Sequence, residues 1–292
     1  MEIFGIPAQA LYGQLALGLV NGAFYALLSL GLAIIFGLLN LINFAHGAQY
    51  MLGAYVAWML LSYLGIGFWG ALVVAPLVVA LLGMALERGL LRYLRDVDQI
   101  YGLLLTFGVA LILEGLVAQT YGWSGMPYAN PLPGSVDLGF MRMPMYRLVA
   151  IAISLVVCLA VWIAIERTKL GAYLRAASED ADMVQAFGVN IPRLIMLTYG
   201  FGVGLAGLAG VVAAPVYQVS PAMGSNLIIV VFAVVVIGGM GSIAGSVIAG
   251  FGLGLIEGLT KVFYPAASTT VIFFIMILIL IFRPSGLFGS TR

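Results

Sequence analysis

Apolar stretches that reach or approach the roughly 20 residues needed by a bilayer-spanning helix recur along the whole chain. They run Leu11 to Leu39, Leu41 to Leu64, Gly67 to Leu86, Tyr101 to Tyr121, Tyr146 to Ile165, Leu194 to Val216 and Ile243 to Lys261. Two shorter runs, Leu227 to Gly238 and Thr270 to Phe282, complete the series. The Leu227 run is short for a crossing, and either its neighbours extend it or it is re-entrant. The first run, glycine-punctuated and holding Asn21, is either one long helix or two pieces. A β-barrel would instead show alternating segments of about 10 residues. Only 8% of the 292 residues are charged, against about 25% in soluble domains. The expectation is an all-α polytopic membrane protein, one domain over residues 1–292, with about nine spanning helices and a range of about 8–10.

Basic residues orient such a chain, because Lys and Arg gather in cytoplasmic loops. If each run crosses once, Arg88, Arg92, Arg95, Arg167, Lys169, Arg175, Arg193, Arg283 and Arg292 share one side, and only Arg142, Arg147 and Lys261 fall on the other. The first side is therefore read as cytoplasmic, together with the C-terminus. The segment 122–144, rich in Pro and Gly, is then external and expected to fold over the outer mouth. The single-crossing count puts the N-terminus outside, and a split first run would put it inside. That N-terminus lacks the positive region of a cleaved signal, so the first span is expected to serve as its own insertion signal. The net charge of +1 argues against a nucleic-acid partner. Cys158 is the single cysteine, which excludes internal disulfides and leaves a small packing residue in an apolar run.

The longest polar segment, Glu166 to Arg193, falls on the cytoplasmic side. A short helix is signalled inside it: Ser178 as N-cap, Glu179, Asp180 and Asp182 at a helix N-terminus that favours negative charge, Gly188 as the left-handed stop, and Pro192 beyond it. Leu174, Ala177, Ala181 and Val184 recur at spacings of three and four and give it one apolar face. Such an amphipathic helix is suited to press against a soluble partner, and a plain solvated connector is the alternative.

Glycine spacing is the other strong pattern. Gly250, Gly254 and Gly258 stand four apart, as do Gly241, Gly245 and Ala249, and Gly202, Ala206 and Gly210. Small residues at that interval lie on one helix face and let neighbouring backbones approach. The cluster Gly238 to Gly245 looks like a phosphate loop but lacks its lysine, so this chain has no such ATPase motif and is not expected to be an enzyme. Asn21, Asn43, His46, Gln49, Glu114 and Glu257 lie within or at the ends of spans, where polar groups are costly and are functional candidates. Glu114, well inside its run, is the sharpest of them. Glu257 lies near the outer end of its span and is expected to snorkel to water. A lone histidine without clustered thiols or carboxylates is a poor metal site, so no metal is expected. Asn21, Asn43 and His46 either cap broken helices or, with Gln49 and Glu114, line a polar path for the solute.

Four blocks together resemble a known family: Asn21 to Tyr55, Glu166 to Asn190, Gly238 to Gly250 and Arg283 to Gly289 are similar to the LivH-type permease subunits of branched-chain amino-acid ABC importers. The resemblance implies a translocation subunit of the bacterial inner membrane, paired with a second LivH- or LivM-like permease or with itself. It further implies two cytoplasmic ATPase subunits that use the ATP, a periplasmic substrate-binding protein, and no cofactor on this chain. Residues 166–193 would be the coupling segment, with Gly171, Arg175, Ala177, Glu179, Asp180, Ala186 and Gly188 as its positions. Their spacing departs from the common EAA-x3-G form, so the role attaches to the segment as a whole. Permeases for urea, short amides and aromatic acids share the resemblance and remain alternatives. From another class, an ion-coupled secondary transporter or channel would use Glu114.

Overall fold

The computed structural model describes residues 2–3, 6–39, 41–94 and 97–289. Arg95 and Arg292, which entered the orientation argument, lie outside the described residues. Most of the described residues are helical. The helices are α1 (Ala8–Leu39), α2 (Ala45–Leu64), α3 (Phe68–Gly89), α4 (Gln99–Tyr121), α5 (Met145–Arg167), α6 (Lys169–Glu179), α7 (Ala181–Ala186), α8 (Ile191–Ala213), α9 (Ser225–Gly238), α10 (Ile243–Phe263) and α11 (Thr270–Phe282). Among the described residues, seven segments are long and apolar enough to cross a membrane: α1, α3, α4, α5, α8, α10, and α9 together with the turn Pro221–Met223 before it. α2 has the length for a crossing but carries His46 and Gln49 at its start. α11, of 13 residues, is shorter than a crossing requires. The first run proves to be one continuous helix of 32 residues.

α1 is the axis. It packs along α10, α8, α5 and α9, and the α1–α10 seam is made by backbone. A Cβ placed on Gly18 would stand 2.5 Å from the Gly254 carbonyl oxygen, and one on Gly22 would stand 3.0 Å from the Cα of Phe251. The expected glycine face of α10 is the one that meets α1, since Gly258 abuts Gln14 and Gly250 abuts Ala26. The face of Gly202, Ala206 and Gly210 on α8 behaves likewise: Gly202 meets Gly31 of α1, and Gly210 meets Tyr50 of α2. In lipid there is no hydrophobic drive between helices, so close van der Waals contact through small residues carries the association. Outward faces are the reverse, with Val73, Leu77 and Leu81 on α3, Leu104, Leu111 and Ile112 on α4, Val156 and Leu159 on α5, and Phe274 and Ile281 on α11 exposed. A hydrocarbon surrounding suits that surface.

Two helices begin inside the bundle rather than at its ends. The ring of His46 bonds the Leu28 carbonyl at 3.0 Å, and Leu28 precedes the end of α1 by about 16 Å at 1.5 Å per residue. Residues 41–44 therefore turn back inward before α2 starts. α9 begins against the same point, with the missing Cβ of Gly47 only 2.7 Å from the Gly224 carbonyl oxygen. The short Leu227 run is thus a helix preceded by a non-helical entry over residues 214–220 and a single turn.

Both ends of the bundle are closed by irregular chain. At the end carrying Arg88, Arg92, Arg167, Lys169 and Arg283, here the basic end, Gly239 and Gly241 turn α9 into α10 with φ of 104° and 86°. Ser242 caps α10 by accepting from Gly245 N–H at 3.1 Å. The tail adds Leu287 and Phe288 N–H groups bonded to the Ile237 and Gly238 carbonyls at 2.9 and 3.1 Å. The resemblance to a phosphate loop is therefore a tight turn pinned by the tail. At the opposite end, residues 122–144 form an antiparallel hairpin, Ser135–Asp137 with Arg142–Pro144. Met126 and Val219 exchange backbone bonds of 2.8 and 3.0 Å, while Tyr128 and Met143 insert into the main core.

The backbone seam gives a direct test. Gly254→Val is expected to lower the thermal midpoint of the detergent-solubilised protein by roughly 5 °C or more, since overpacking costs about 1–3 kcal/mol. Gly252→Val, where nothing stands within 4 Å of the missing Cβ, should shift it by no more than about 1 °C. Equal shifts in a thermal-shift assay would contradict the seam.

Candidate functional site

Three groups of polar residues stand out. The first is the segment 166–193 at the basic end, which folds as the hairpin α6–α7. Its apolar face is as expected: Leu174, Ala177 and Val184 are buried in one cluster with Ala26, Leu30 and Ile34 of α1, Ile165 of α5 and Leu194 of α8, and Ala181 packs against it. The capping differs from expectation. Ser178 lies inside α6, where its hydroxyl donates to the Arg175 carbonyl at 2.8 Å. Asp180 is the N-cap, accepting from Met183 N–H at 2.8 Å and separating α6 from α7. No proline lies between Thr168 and Glu179, and the single glycine there, Gly171, is tolerated within α6, so helix starts as soon as α5 ends. Gly188 does stop α7, with φ of 87° and its N–H on the Gln185 carbonyl at 2.9 Å. Asn190 then caps α8 by accepting from Arg193 N–H at 3.0 Å.

The seven positions expected to be the coupling residues divide into two sets. Gly171, Arg175 and Ala177 face the bundle. Gly171 lies directly on the Ile165 carbonyl, too close for any side chain. Arg175 donates to that same carbonyl at 3.2 Å and pairs with Glu166 at 3.7 Å. Glu179, Asp180, Ala186 and Gly188 are exposed. Beside them the hairpin exposes Leu170, Tyr173, Met183 and Phe187, the last to 83%. Their exposure was not foreseen. For Met183 and Phe187 the signal was available, because they lie off the Leu174–Ala177–Val184 face; Leu170, four residues before Leu174, continues that face's spacing and is exposed all the same.

The second group is interior. Asn43, His46 and Gln49 are buried at the start of α2. Asn43 Nδ2 donates to Gln49 Oε1 at 3.2 Å, and Gln49 Nε2 donates to the Tyr199 hydroxyl at 3.2 Å. Asn43 does not cap α2: the N-cap is Phe44, without a side-chain bond. These residues, with Tyr199 of α8, tie the inward-turned segment to its neighbours and are closed off from the surface. Asn43 Oδ1 and His46 Nδ1 have no partner in the protein, a condition that small polar cavities often relieve with water.

The third group surrounds the entry to α9. Asn21 of α1 accepts from the Tyr217 hydroxyl at 3.0 Å, and Glu114 of α4 accepts from the Ser225 hydroxyl at 3.4 Å. Tyr217, Gln218, Ser225 and Asn226 are exposed along one side of the interrupted segment. Two of the five expected path residues, Asn21 and Glu114, thus each bond an exposed residue of this segment, and the other three do not. Glu257 was expected to snorkel to water. Instead it is 5% exposed, accepting from Tyr25 at 2.7 Å and pairing with Lys261 at 2.5 Å. Its spacing of four from Lys261 was readable; its tie to Tyr25 across the α1–α10 seam was not. Among the described residues no group of His, Cys, Asp and Glu could hold a metal ion. Cys158 is buried, as expected for a packing residue.

Against known proteins, residues 14–282 match the family model described as branched-chain amino acid transport system / permease component. The chain is 31% identical to the high-affinity branched-chain amino acid transport system permease protein BraD of Pseudomonas aeruginosa, over 94% of this chain and 95% of that one. It is 30% identical to LivH of Escherichia coli K12, over 94% of each chain. It is also 30% identical to LivM of the same organism, over 92% of this chain and 68% of that one.

The capping assignment is checkable by hydrogen exchange. Asp180→Ala is expected to speed exchange of the amides at 182–184 about five-fold, as loss of a cap worth about 1 kcal/mol requires. Ser178→Ala should leave them unchanged; the reverse order would restore Ser178 as the cap.

Proposed function

Since the chain belongs to the family of branched-chain amino acid transport permease components, we propose that it forms half of the translocation pathway of an ABC importer in the bacterial inner membrane, moving branched-chain amino acids. As a member of that family it is a multi-pass permease and not an enzyme; it has no ATPase motif of its own. In this reading ATP is used by two separate ATPase subunits on the basic, cytoplasmic side, and a periplasmic binding protein delivers solute to the end covered by residues 122–144. The other half is a LivH- or LivM-like permease, and the similarity to both LivH and LivM supports either pairing.

The observation that carries the reading is the construction of α6–α7. Its inner face is fastened to α1, α5 and α8, through Leu174, Ala177 and Val184 in the core and through Gly171 and Arg175 on Ile165. Its outer face offers Leu170, Tyr173, Met183 and Phe187 to whatever lies below the membrane. A rigid hairpin so fastened transmits displacement, whereas a mobile connector would absorb it. In this role Glu179, Asp180, Ala186 and Gly188 are contact positions, while Gly171, Arg175 and Ala177 hold the hairpin to the bundle. Asn21, Glu114 and the exposed strip from Tyr217 to Asn226 would face the solute path shared with the second permease. Asn43, His46 and Gln49 would brace it from within.

Affinity purification from native membranes in mild detergent tests the coupling. ATPase subunits should accompany the intact chain, and Met183→Glu with Phe187→Glu should reduce their recovery at least about ten-fold, because charges would be desolvated in an apolar contact. The ion-coupled alternative rests on the Glu114–Ser225 contact. Gradient-driven leucine transport by the purified chain alone, abolished by Glu114→Gln, would replace the importer reading with it.

A further inference from the structure

We propose that the cluster formed by Asn21, Tyr25, Tyr217, Glu257 and Lys261, with Arg147 beside it, is a binding site for the charged ends of a zwitterionic α-amino acid at the outer mouth of the path. The proposal rests on the permease reading above and narrows its solute to one that carries both charges.

The cluster lies where α1, α10 and the α8–α9 connection meet. Glu257 is buried, with one oxygen on the Tyr25 hydroxyl at 2.7 Å and the other on the Lys261 ammonium at 2.5 Å. The Lys261 side chain is about one-third exposed, so the pair runs from the interior to the surface. Beside it stands Tyr217, itself exposed, its hydroxyl on Asn21 at 3.0 Å. Glu257 and Arg147 both lie within electrostatic reach of Tyr217. The Tyr50 hydroxyl is buried, has no partner, and is also electrostatically coupled to Tyr217. Of the three basic residues on the outer half, Lys261 belongs to the cluster and Arg147 lies within electrostatic reach of its Tyr217; Arg142 is engaged with Asp137 at 3.9 Å in the external hairpin.

Packing does not explain these groups. The seam between α1 and α10 is already closed by Gly18, Gly22, Gly250, Gly254 and Gly258. A carboxylate, an ammonium and tyrosine hydroxyls at that depth are costly additions to a contact that is complete without them. Their chemistry matches the two ends of an amino acid. Lys261, Arg147 and the Tyr217 hydroxyl donate to a carboxylate, and Glu257 accepts from an ammonium once Lys261 turns to the incoming carboxylate. The buried ring of Phe24, edge-on to Tyr217 at 5.5 Å, holds the Tyr217 ring in place. Urea or a simple amide would satisfy neither charge and would leave Glu257 and Lys261 bound to each other.

The test is the initial rate of ATP-driven leucine uptake by the complete transporter in proteoliposomes, at saturating loaded binding protein. The reversed pair Glu257→Lys with Lys261→Glu keeps an ion pair at the same two positions but inverts its polarity. It is expected to assemble into the complex and to lose ten-fold or more of the rate. Tyr217→Phe, an exposed and nearly isosteric change, should lose about three-fold. If the reversed pair assembles and works within about two-fold of the original, the pair is a structural tie and the proposal is overturned. Should the reversed pair fail to assemble, a rate for Tyr217→Phe within about two-fold of the original overturns it instead. Uptake of urea but not leucine by the unaltered complex would also overturn it while leaving the permease reading intact. Leucine uptake that needs no ATP would remove the reading beneath it.

Discussion

The fold depends on backbone meeting backbone along α1. Where Gly18 and Gly22 face Gly254 and Phe251, and Gly31 faces Gly202, no side chain can intervene. Helices in lipid gain nothing from hiding apolar surface from one another, so contact of this closeness is the attraction available to them. It also fixes their relative position, since ridges of side chains that could re-interdigitate are missing. α1, α8 and α10 consequently form one body. α3 packs its inner face on Gly204 and Gly207 of α8, while the outer faces of α3, α4 and α11 expose long rows of Leu, Ile, Val and Phe at the periphery.

In the proposed importer, function is arranged at the two ends and the midpoint of that body. At the basic end, α6–α7 is attached to the same helices that make the seam, because its buried residues belong to a cluster containing Ala26, Leu30 and Ile34 of α1. At the midpoint, the starts of α2 and α9 abut through Gly47 and Gly224, so an interruption in the helical wall lies beside the rigid axis. Ser225 and Asn226 are exposed at that interruption, and Tyr217 and Gln218 are exposed on the connection leading into it. Val184 on the inner side of the hairpin shares one packed cluster with Ile34, which joins the hairpin to the α1 axis.

Much of this was legible in the sequence, for physical reasons that can be named. The four-residue spacing of Gly250, Gly254 and Gly258 specifies a face, and the structure presents that face to α1. The apolar periodicity of Leu174, Ala177 and Val184 specifies the buried side of the hairpin. Choices between equivalent local signals were not legible. Ser178 and Asp180 are both good caps, and the tertiary contact of Gly171 with Ile165, which lets α6 start at Lys169, decides for Asp180. Polar residues in apolar runs posed the same difficulty. Composition cannot distinguish Asn43, tied to Gln49 in the interior, from Asn21, tied to Tyr217 on an exposed strip. Nor can it foresee that Glu257 meets Tyr25, 232 residues away in sequence.

The central claim is that the glycine-sealed axis and its hairpin move as one piece when the ATPase subunits act. Pulsed electron resonance between spin labels tests it directly. One label would sit on exposed Ala172 of α6 and another on exposed Ala10 at the far end of α1. The single native cysteine, Cys158, would be replaced by alanine. Comparing nucleotide-free and ATP-trapped transporter, the Ala172–Ala10 distance within this subunit should change by less than about 2 Å, while the distance from Ala10 to a label on the second permease changes by more. A large change within the subunit, with the distance between subunits constant, would contradict rigid transmission.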